Sequence, residues 1–446
     1  MGHPGANYLW RGVGCGLALL QLVLLGLWWA LLPRADAGKA LLRYGTFGTA
    51  EQLLQEKELV ARFEELHPDI DVKLEFVTSG NYLFKLKMQI AGRTAPDVTW
   101  MGTEDFQDFV SKGAFRPLDD LIARDPTFNL DDYFPVMINA YMYQGKHYGI
   151  PKDNSPLLFF YNKEAFDAVH VPYPTADWTW KELVDAGKEL TRDLNGDHRV
   201  DQYMFIPMWE FTYFFQCGCP IIDPDTGLSA MDTPEARTAM QFIHDFVYVE
   251  HLGPTGLQIA GIIAAGGASD TGLGVVDLFP MGKVACFACN PAVVPYFTRV
   301  CTFDFDCTEL PAGETDAQIV DGAAYPILAQ SRYPYEAWEL VKFLTGPEVQ
   351  TYRARAGDSV PSLKSVAASD AFLKRTAPPQ NMAEVSLDIV QKARRTPSPR
   401  HPKWAELRAT WNQCYERVMT DDDPMPVEEA LRVCAERMNK ILANPY

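Results

Sequence analysis

The sequence predicts an α/β protein with two hydrophobic cores. The chain has 446 residues, of which 47% are apolar, and a single core usually stops growing at about 250 to 300 residues. From residue 38 onward, short apolar segments alternate with amphipathic ones, and this order is typical of sheets covered by helices. We therefore expect two α/β domains.

The first part of the chain predicts a mainly parallel sheet. Its pattern gives strands at 40–44, 71–77 and 96–100 and helices at 51–66 and 82–91. Strands joined by helices pair in parallel, and ligands bind at the carboxyl ends of such strands. Phe47 and the segment after Trp100 lie at these ends.

The rest of the chain continues the alternation and ends in two helices. Strands are predicted at 157–162, 284–288 and 323–329, and helices at 180–190 and 335–344. Thr179 and Glu182 have the capping-box spacing that starts the helix at 180. Helical spacing on both sides of the polar linker 421–424 predicts a C-terminal pair of helices.

The N-terminus predicts export. Arg11 precedes an apolar run at 13–32, and the small-residue pattern Ala-Asp-Ala follows at 35–37. This order fits a signal peptide over residues 1–37, and the length of the run also fits an uncleaved membrane anchor. Either alternative places the chain from residue 38 onward in the periplasm or on the outer side of the cytoplasmic membrane.

The charge excludes one class of partner. A formal net charge of -18 without a Lys/Arg-rich tract repels nucleic acid, so we expect no nucleic-acid binding. The same charge favours a neutral or cationic solute.

Eight cysteines follow the apolar run, and in an exported chain they predict disulfides. Zinc is the alternative, because the cysteines in 217–219 and 286–289 could supply four thiolates. The one-residue spacer in the first pair and an oxidising compartment favour disulfides. Cys414 and Cys434 fall in the two C-terminal helices, and we predict a disulfide between them.

An acidic segment resembles a calcium loop and could hold a structural calcium ion. Asp193, Asn195, Asp197 and Asp201 have the spacing of EF-hand ligands. The match is incomplete, because the turn glycine and the bidentate glutamate of that motif are absent. The alternative is a solvated acidic turn, and no other cofactor is expected.

Several segments resemble, in the same order, the extracellular solute-binding proteins of the sugar-binding family that includes the maltodextrin-binding proteins of ABC transporters. The segments that carry the resemblance across residues 40–442 are 63–70, 82–98, 113–119, 145–151, 161–163, 179–182, 281–285, 337–344 and 360–361. The resemblance implies a two-lobed periplasmic-binding-protein-like II fold with a hinge and a cleft between the lobes. It also implies a monomeric receptor that binds a sugar or oligosaccharide by hinge closure and delivers it to ABC permease subunits.

The family pattern also implies lobe boundaries and site residues. The first lobe takes residues 38–151 and 309–361, the second takes 152–308 and 362–446, and hinge strands lie near Lys152 and Leu310. The implied ligand-binding residues are Phe47, Trp100, Met101, Glu104, Asn154, Ser155, Trp209, Tyr213, Asn290 and Asp321. Aromatic side chains at 209–215 could instead form core, and Glu104 could instead be part of a solvated helix start.

Three other functions are considered. A secreted hydrolase would use paired carboxylates, but no motif isolates two of them, and no nucleophile or metalloprotease motif is present. We therefore expect no enzymatic activity. A receptor of the same fold could bind a polyamine or a phosphodiester, and an anchored scaffold would fill the cleft with its own side chains.

Overall fold

The computed structural model describes residues 38–48, 50–78, 81–266, 274–357, 359–392 and 401–444. The predicted signal peptide or anchor at 1–37 lies outside these residues. Within them, no helix is long and apolar enough to cross a membrane.

The described residues contain fourteen strands, eighteen α-helices and three short 3₁₀ helices. The strands are β1 Ala40–Gly48, β2 Ile70–Thr78, β3 Val98–Thr99, β4 Met101–Gly102, β5 Met142–Tyr143, β6 Lys146–His147, β7 Gly149–Pro151, β8 Asp153–Pro156, β9 Leu158–Asn162, β10 Cys286–Cys289, β11 Phe305–Thr308, β12 Val320–Asp321, β13 Ala323–Pro326 and β14 Val360–Pro361. The helices up to residue 300 are α1 Ala50–Leu66, α2 Tyr82–Ala91, α3 Thr103–Ser111, α4 Asp119–Arg124, α5 Pro135–Ala140, α6 Lys163–Asp167, α7 Trp180–Leu190, α8 Phe211–Gln216, α9 Pro234–Tyr248, α10 Gly256–Gly266 and α11 Val294–Val300. The later helices are α12 Pro334–Thr345, α13 Pro347–Ala356, α14 Lys364–Ala367, α15 Asp370–Leu373, α16 Met382–Lys392, α17 Trp404–Val418 and α18 Val427–Leu442.

The first lobe is built on the parallel sheet β2-β1-β3, as the strand and helix order predicts. Tyr44 of β1 lies opposite Leu74 on one side and Val98 on the other. The predicted strand at 96–100 divides after Thr99, because β4 leaves this sheet and pairs with β13, which in turn pairs with β7. This change of partner carries the chain from the sheet to the start of α3.

The second lobe is built on the antiparallel sheet β10-β9-β11. Every residue of its central strand is buried, which explains the continuous apolar run in the sequence. Helix α7 begins with the predicted capping box, in which Thr179 and Glu182 satisfy each other's backbone amides. Helices α17 and α18 pack against each other and confirm the predicted C-terminal pair.

The two lobes meet at strand β8, which pairs with β12 on one edge and β14 on the other. The backbone amide of Lys152 donates to the carbonyl of Ala323 over 2.7 Å. Gly322 lies against this crossing, where a Cβ atom would come within 2.5 Å of Met137 and 2.8 Å of the Asp153 carbonyl oxygen. The crossing therefore has no room for a larger residue at position 322.

Three clusters of buried side chains form the interior. One surrounds the parallel sheet and one surrounds the sheet of the second lobe. The third contains side chains from both regions, among them Met101 and Phe160. Leu363 and Val366 pack in the first-lobe cluster, so the segment just after β14 still contacts that lobe.

Candidate functional site

A cavity of about 440 Å³ lies between α3 of the first lobe and helices of the second lobe. Its volume falls within the range of about 300 to 1,000 Å³ that is usual for ligand pockets. Among the residues that line the cavity are Glu104, Met208, Trp209, Glu210, Thr212, Tyr248, Ile259, Ile319, Arg408, Tyr415 and Met419. The cavity is therefore open to a ligand rather than filled by the protein's own side chains.

The first lobe contributes Glu104 to the cavity. This residue lies in the first turn of α3, directly after Thr103, whose hydroxyl donates to Asp321 over 2.5 Å and whose amide donates to the Gly322 carbonyl. Strands β4 and β12 thus bring Glu104 and Asp321 together from positions more than 200 residues apart in the sequence. The pair forms a carboxylate centre beside the hinge.

Both acids hold their protons more tightly than usual. Burial raises the pKa of Glu104 to about 7, and the negative charge of Asp321 adds to this increase. Burial also raises the pKa of Asp321 to about 6, although the hydrogen bond from Thr103 opposes it. The two carboxyl groups therefore change charge within the physiological pH range.

The second lobe contributes Trp209, whose backbone has a φ of 59°. This left-handed conformation is unfavourable for a bulky residue, and residues held in it often mark functional sites. The indole nitrogen donates to the Ala288 carbonyl over 3.3 Å, which fixes the ring at the end of β10. Trp209 therefore presents to the cavity an aromatic surface with a fixed orientation.

Helix α17 contributes Arg408 to the same cavity. Its guanidinium group lies 2.9 Å from the Glu210 carboxylate and 4.8 Å from the centre of the Phe211 ring. The indole of Trp411 donates to the same oxygen of Glu210 over 2.8 Å. Glu210 is thus held by hydrogen bonds from Arg408 and Trp411, and Arg408 is also held by the face of the Phe211 ring.

The structure divides the predicted ligand-binding residues into those that line the cavity and those that do not. Glu104 and Trp209 line it, and Asp321 lies beside Glu104. Tyr213, by contrast, is 3% exposed and packs against Trp180 and Phe242 in the second-lobe core. Its place in the core matches the alternative that aromatic residues in this segment are structural.

The other predicted residues have local structural partners. Phe47 and Trp100 pack edge to face with ring centres 4.6 Å apart at the end of the parallel sheet. Asn154 is fully buried in the hinge strand and donates to the Pro361 carbonyl, and its neighbour Ser155 pairs with Asp321. Asn290 caps a short 3₁₀ helix through its side-chain oxygen.

The acidic segment 193–201 forms a hydrogen-bonded turn, which matches the alternative of a solvated acidic turn, and the calcium site stays a prediction. Asp193 accepts backbone hydrogen bonds from Asn195, Gly196 and His198. Asn195, Asp197 and Asp201 accept in the same way from Asp197, Arg199 and Leu194. Within the described part of the chain, no three His, Cys, Asp or Glu side chains are grouped closely enough to hold a metal ion. The described cysteines are part of no such group, so their arrangement gives no support to the zinc alternative.

Cys414 and Cys434 face each other between α17 and α18. A side-chain hydrogen bond joins the two residues and lowers the pKa of the Cys414 thiol to about 7. The structure therefore brings the two predicted partners into contact, and the disulfide between them stays a prediction.

Sequence reasoning missed the contribution of α17 to the cavity. Arg408 and Tyr415 of α17 and Met419, directly after its end, are spaced by seven and four residues, which is the spacing of one helix face. That spacing was visible in the sequence, but nothing in it indicated which partner the face would meet. Thr212 was missed because it lies within a run of aromatic residues.

A comparison with known proteins decides the family. Residues 49–351 match the family of bacterial extracellular solute-binding proteins, a match that spans more than half of the chain. The chain belongs to this family. Membership confirms the predicted fold class, and it confirms the interpretation as a solute-binding protein rather than an enzyme. The family is also described as extracellular, in agreement with the predicted export.

Individual relatives agree with this assignment. An ABC substrate-binding protein of Listeria monocytogenes, solved in complex with cycloalternan, has a TM-score of 0.80 at 24% identity and covers 91% of this chain and 100% of its own. The GacH receptor of Streptomyces glaucescens, solved with acarbose, has a TM-score of 0.76 at 22% identity and covers 92% and 100%. A galactooligosaccharide-binding protein of Bacillus subtilis is 24% identical over 85% of both chains.

Proposed function

We propose that the protein is the solute-binding subunit of an ABC-type uptake system and binds a sugar or oligosaccharide in the cavity between its lobes. The observation that carries this proposal is that one cavity combines Glu104 of the first lobe with Trp209 and Arg408 of the second. A ligand in this cavity contacts both lobes at once.

The lining has the chemistry that saccharides require. Sugar rings present apolar faces that pack on aromatic side chains and a rim of hydroxyls that needs donors and acceptors. Trp209 and Tyr415 supply aromatic surface, Glu104 supplies an acceptor and Arg408 supplies donors. The relatives support the same class of ligand, because their names and complexes include cycloalternan and galactooligosaccharide.

Hinge closure would couple binding to transport. We propose that the chain divides near residues 151 and 308, so that the lobes rotate about the strands β8 and β12. Contacts that a ligand makes to both lobes only in the closed form shift the population toward that form. A permease that recognises the closed form then receives only the loaded protein, outside the cytoplasm.

The test is a titration of the purified full-length chain with maltooligosaccharides, galactooligosaccharides and arabinooligosaccharides, with spermidine and glycerophosphodiesters as charged controls. A ligand at 100 times its dissociation constant raises the free energy of unfolding by about 2.7 kcal/mol, which a thermal shift detects. We expect a shift with at least one oligosaccharide, and we expect Trp209→Ala to abolish it.

Phe84→Ala is the matched control, because Phe84 is an aromatic residue that is 68% exposed and lies outside the cavity lining. This variant should bind like the unmodified chain. A shift with spermidine or a phosphodiester and none with any oligosaccharide would refute the carbohydrate assignment while leaving the family intact.

A further inference from the structure

We propose that the solute is a saccharide that carries a protonated amine. This inference rests on the proposed function and narrows its ligand to one chemical class. It follows from the balance of charges around the cavity and from a buried hydroxyl group that lacks a partner.

The first observation is an excess of carboxylates at one side of the cavity. Glu104 lines the cavity, and Asp321, Asp105 and Glu210 are close enough for their charges to act on it, although Lys87 offsets the charge of Asp105. Within the described residues, the Glu104 carboxylate has no hydrogen bond and no ion pair. A mostly buried carboxylate without a partner is costly, so a ligand group that supplies a proton donor gains strongly by binding there.

The second observation is that the nearby cation is already engaged. Arg408 is paired with Glu210 and stacked on Phe211, and it contributes one positive charge against three carboxylates. When all three acids are ionised, the cavity therefore keeps an excess negative charge beside Trp209. A ligand ammonium group neutralises this charge and also gains from the aromatic surface, whereas a sugar hydroxyl neutralises nothing.

The third observation favours a ligand that also carries neutral polar groups. Thr212 lines the cavity and is 1% exposed, and in the described structure its hydroxyl group has no hydrogen-bond partner. The Tyr248 hydroxyl, on the same cavity, is likewise buried without a partner. A sugar hydroxyl can both donate to and accept from these groups, whereas a protonated polyamine only donates and would leave their O–H donors without an acceptor.

Matched sugar pairs test the proposal. The full-length chain is titrated calorimetrically at pH 7 with glucosamine against glucose, galactosamine against galactose, and trisaccharides of β-1,4-linked glucosamine against those of β-1,4-linked glucose. Within each pair the two sugars differ only in that one hydroxyl on each ring is replaced by an amine. For the pair that fits the cavity, we expect the amino sugar to bind at least about tenfold more tightly than its neutral partner, because a charge-assisted hydrogen bond replaces a neutral one.

Two further measurements test whether the preference for the amine depends on the charge of the cavity carboxylates. In Glu104→Gln the preference for the amine should fall toward unity, whereas in Glu416→Gln, on the exposed face of α17, it should persist. The preference should also be smaller at pH 5 than at pH 7, because protonation removes the charge of Glu104 and Asp321, whereas a lower pH only adds protons to the amine.

The outcomes are distinct for the two proposals. Neutral sugars that bind as tightly as their amines would overturn the inference and leave the carbohydrate assignment standing. Spermidine that binds as tightly as every amino sugar would overturn the saccharide part. If no sugar of either kind binds, both proposals fail together.

Discussion

Replacing Glu104 by glutamine should stabilise the unliganded protein at alkaline pH. Burial raises the pKa of this acid, so the protonated carboxyl is favoured in the folded chain and the ionised carboxylate is disfavoured. The stability that comes from the bound proton is complete below the pKa of the unfolded chain and is lost as the pH rises through the pKa of the folded chain. A glutamine side chain has no such proton to lose.

The size of the effect follows from the two pKa values. A pKa of about 7 in the folded chain against about 4.5 in the unfolded chain corresponds to about 3 kcal/mol at pH 8 and less than about 1 kcal/mol at pH 5. Glu104→Gln should therefore exceed the unmodified chain in free energy of unfolding by roughly these amounts. The gain should come with weaker sugar binding, because the charged acceptor is lost.

Urea unfolding of the ligand-free protein at pH 5 and pH 8 measures the difference. Glu416→Gln is the matched control. It also removes one negative charge, but the Glu416 carboxylate is exposed rather than buried. It should change the stability by no more than about 0.5 kcal/mol at either pH. If the stability difference for Glu104→Gln were the same at both values of pH, the assignment of a buried, proton-binding Glu104 would be wrong.

Three further predictions address the hinge, the thiols and the acidic turn. Gly322→Ala should destabilise the protein by about 1 to 3 kcal/mol in urea unfolding, because the added methyl group overlaps Met137 at the strand crossing. A disulfide oxidant should join Cys414 to Cys434 with the loss of two hydrogens and raise stability by about 3 kcal/mol, and Cys434→Ser should abolish the gain in a thermal shift with and without reductant. Calcium and a chelator should give the same melting temperature, because the turn at 193–201 already uses its carboxylates as backbone acceptors.

Much of the fold follows from local patterns. The order of strands and helices specifies the parallel sheet, and the capping box at Thr179 fixes the start of α7 where the sequence predicts it. The strand at 96–100 was harder to predict in detail, because its break after Thr99 depends on pairing with β13, more than 200 residues later. Short-range periodicity contains no information about such a partner.

The site is less predictable than the fold. Trp209 and Tyr213 lie four residues apart in one aromatic run, yet one lines the cavity and the other is core. Every residue of α8 is buried, its polar residues included, so the pattern of the run does not separate the two. Arg408 reaches the cavity because α17 packs against α3, a contact between distant segments that neither helix specifies alone.

Three departures from the usual rules of folding coincide at this cavity. Trp209 has a left-handed backbone, Thr212 buries a hydroxyl group without a partner, and Glu104 buries a carboxyl group whose ionisation is costly. Each lowers the stability of the unliganded protein, and none helps to form the sheets or their cores. Stable folds normally avoid such conflicts except at functional sites. A ligand that donates to Glu104 and Thr212 and packs on Trp209 would satisfy the two polar groups and bury the indole, so its binding would recover part of this free energy.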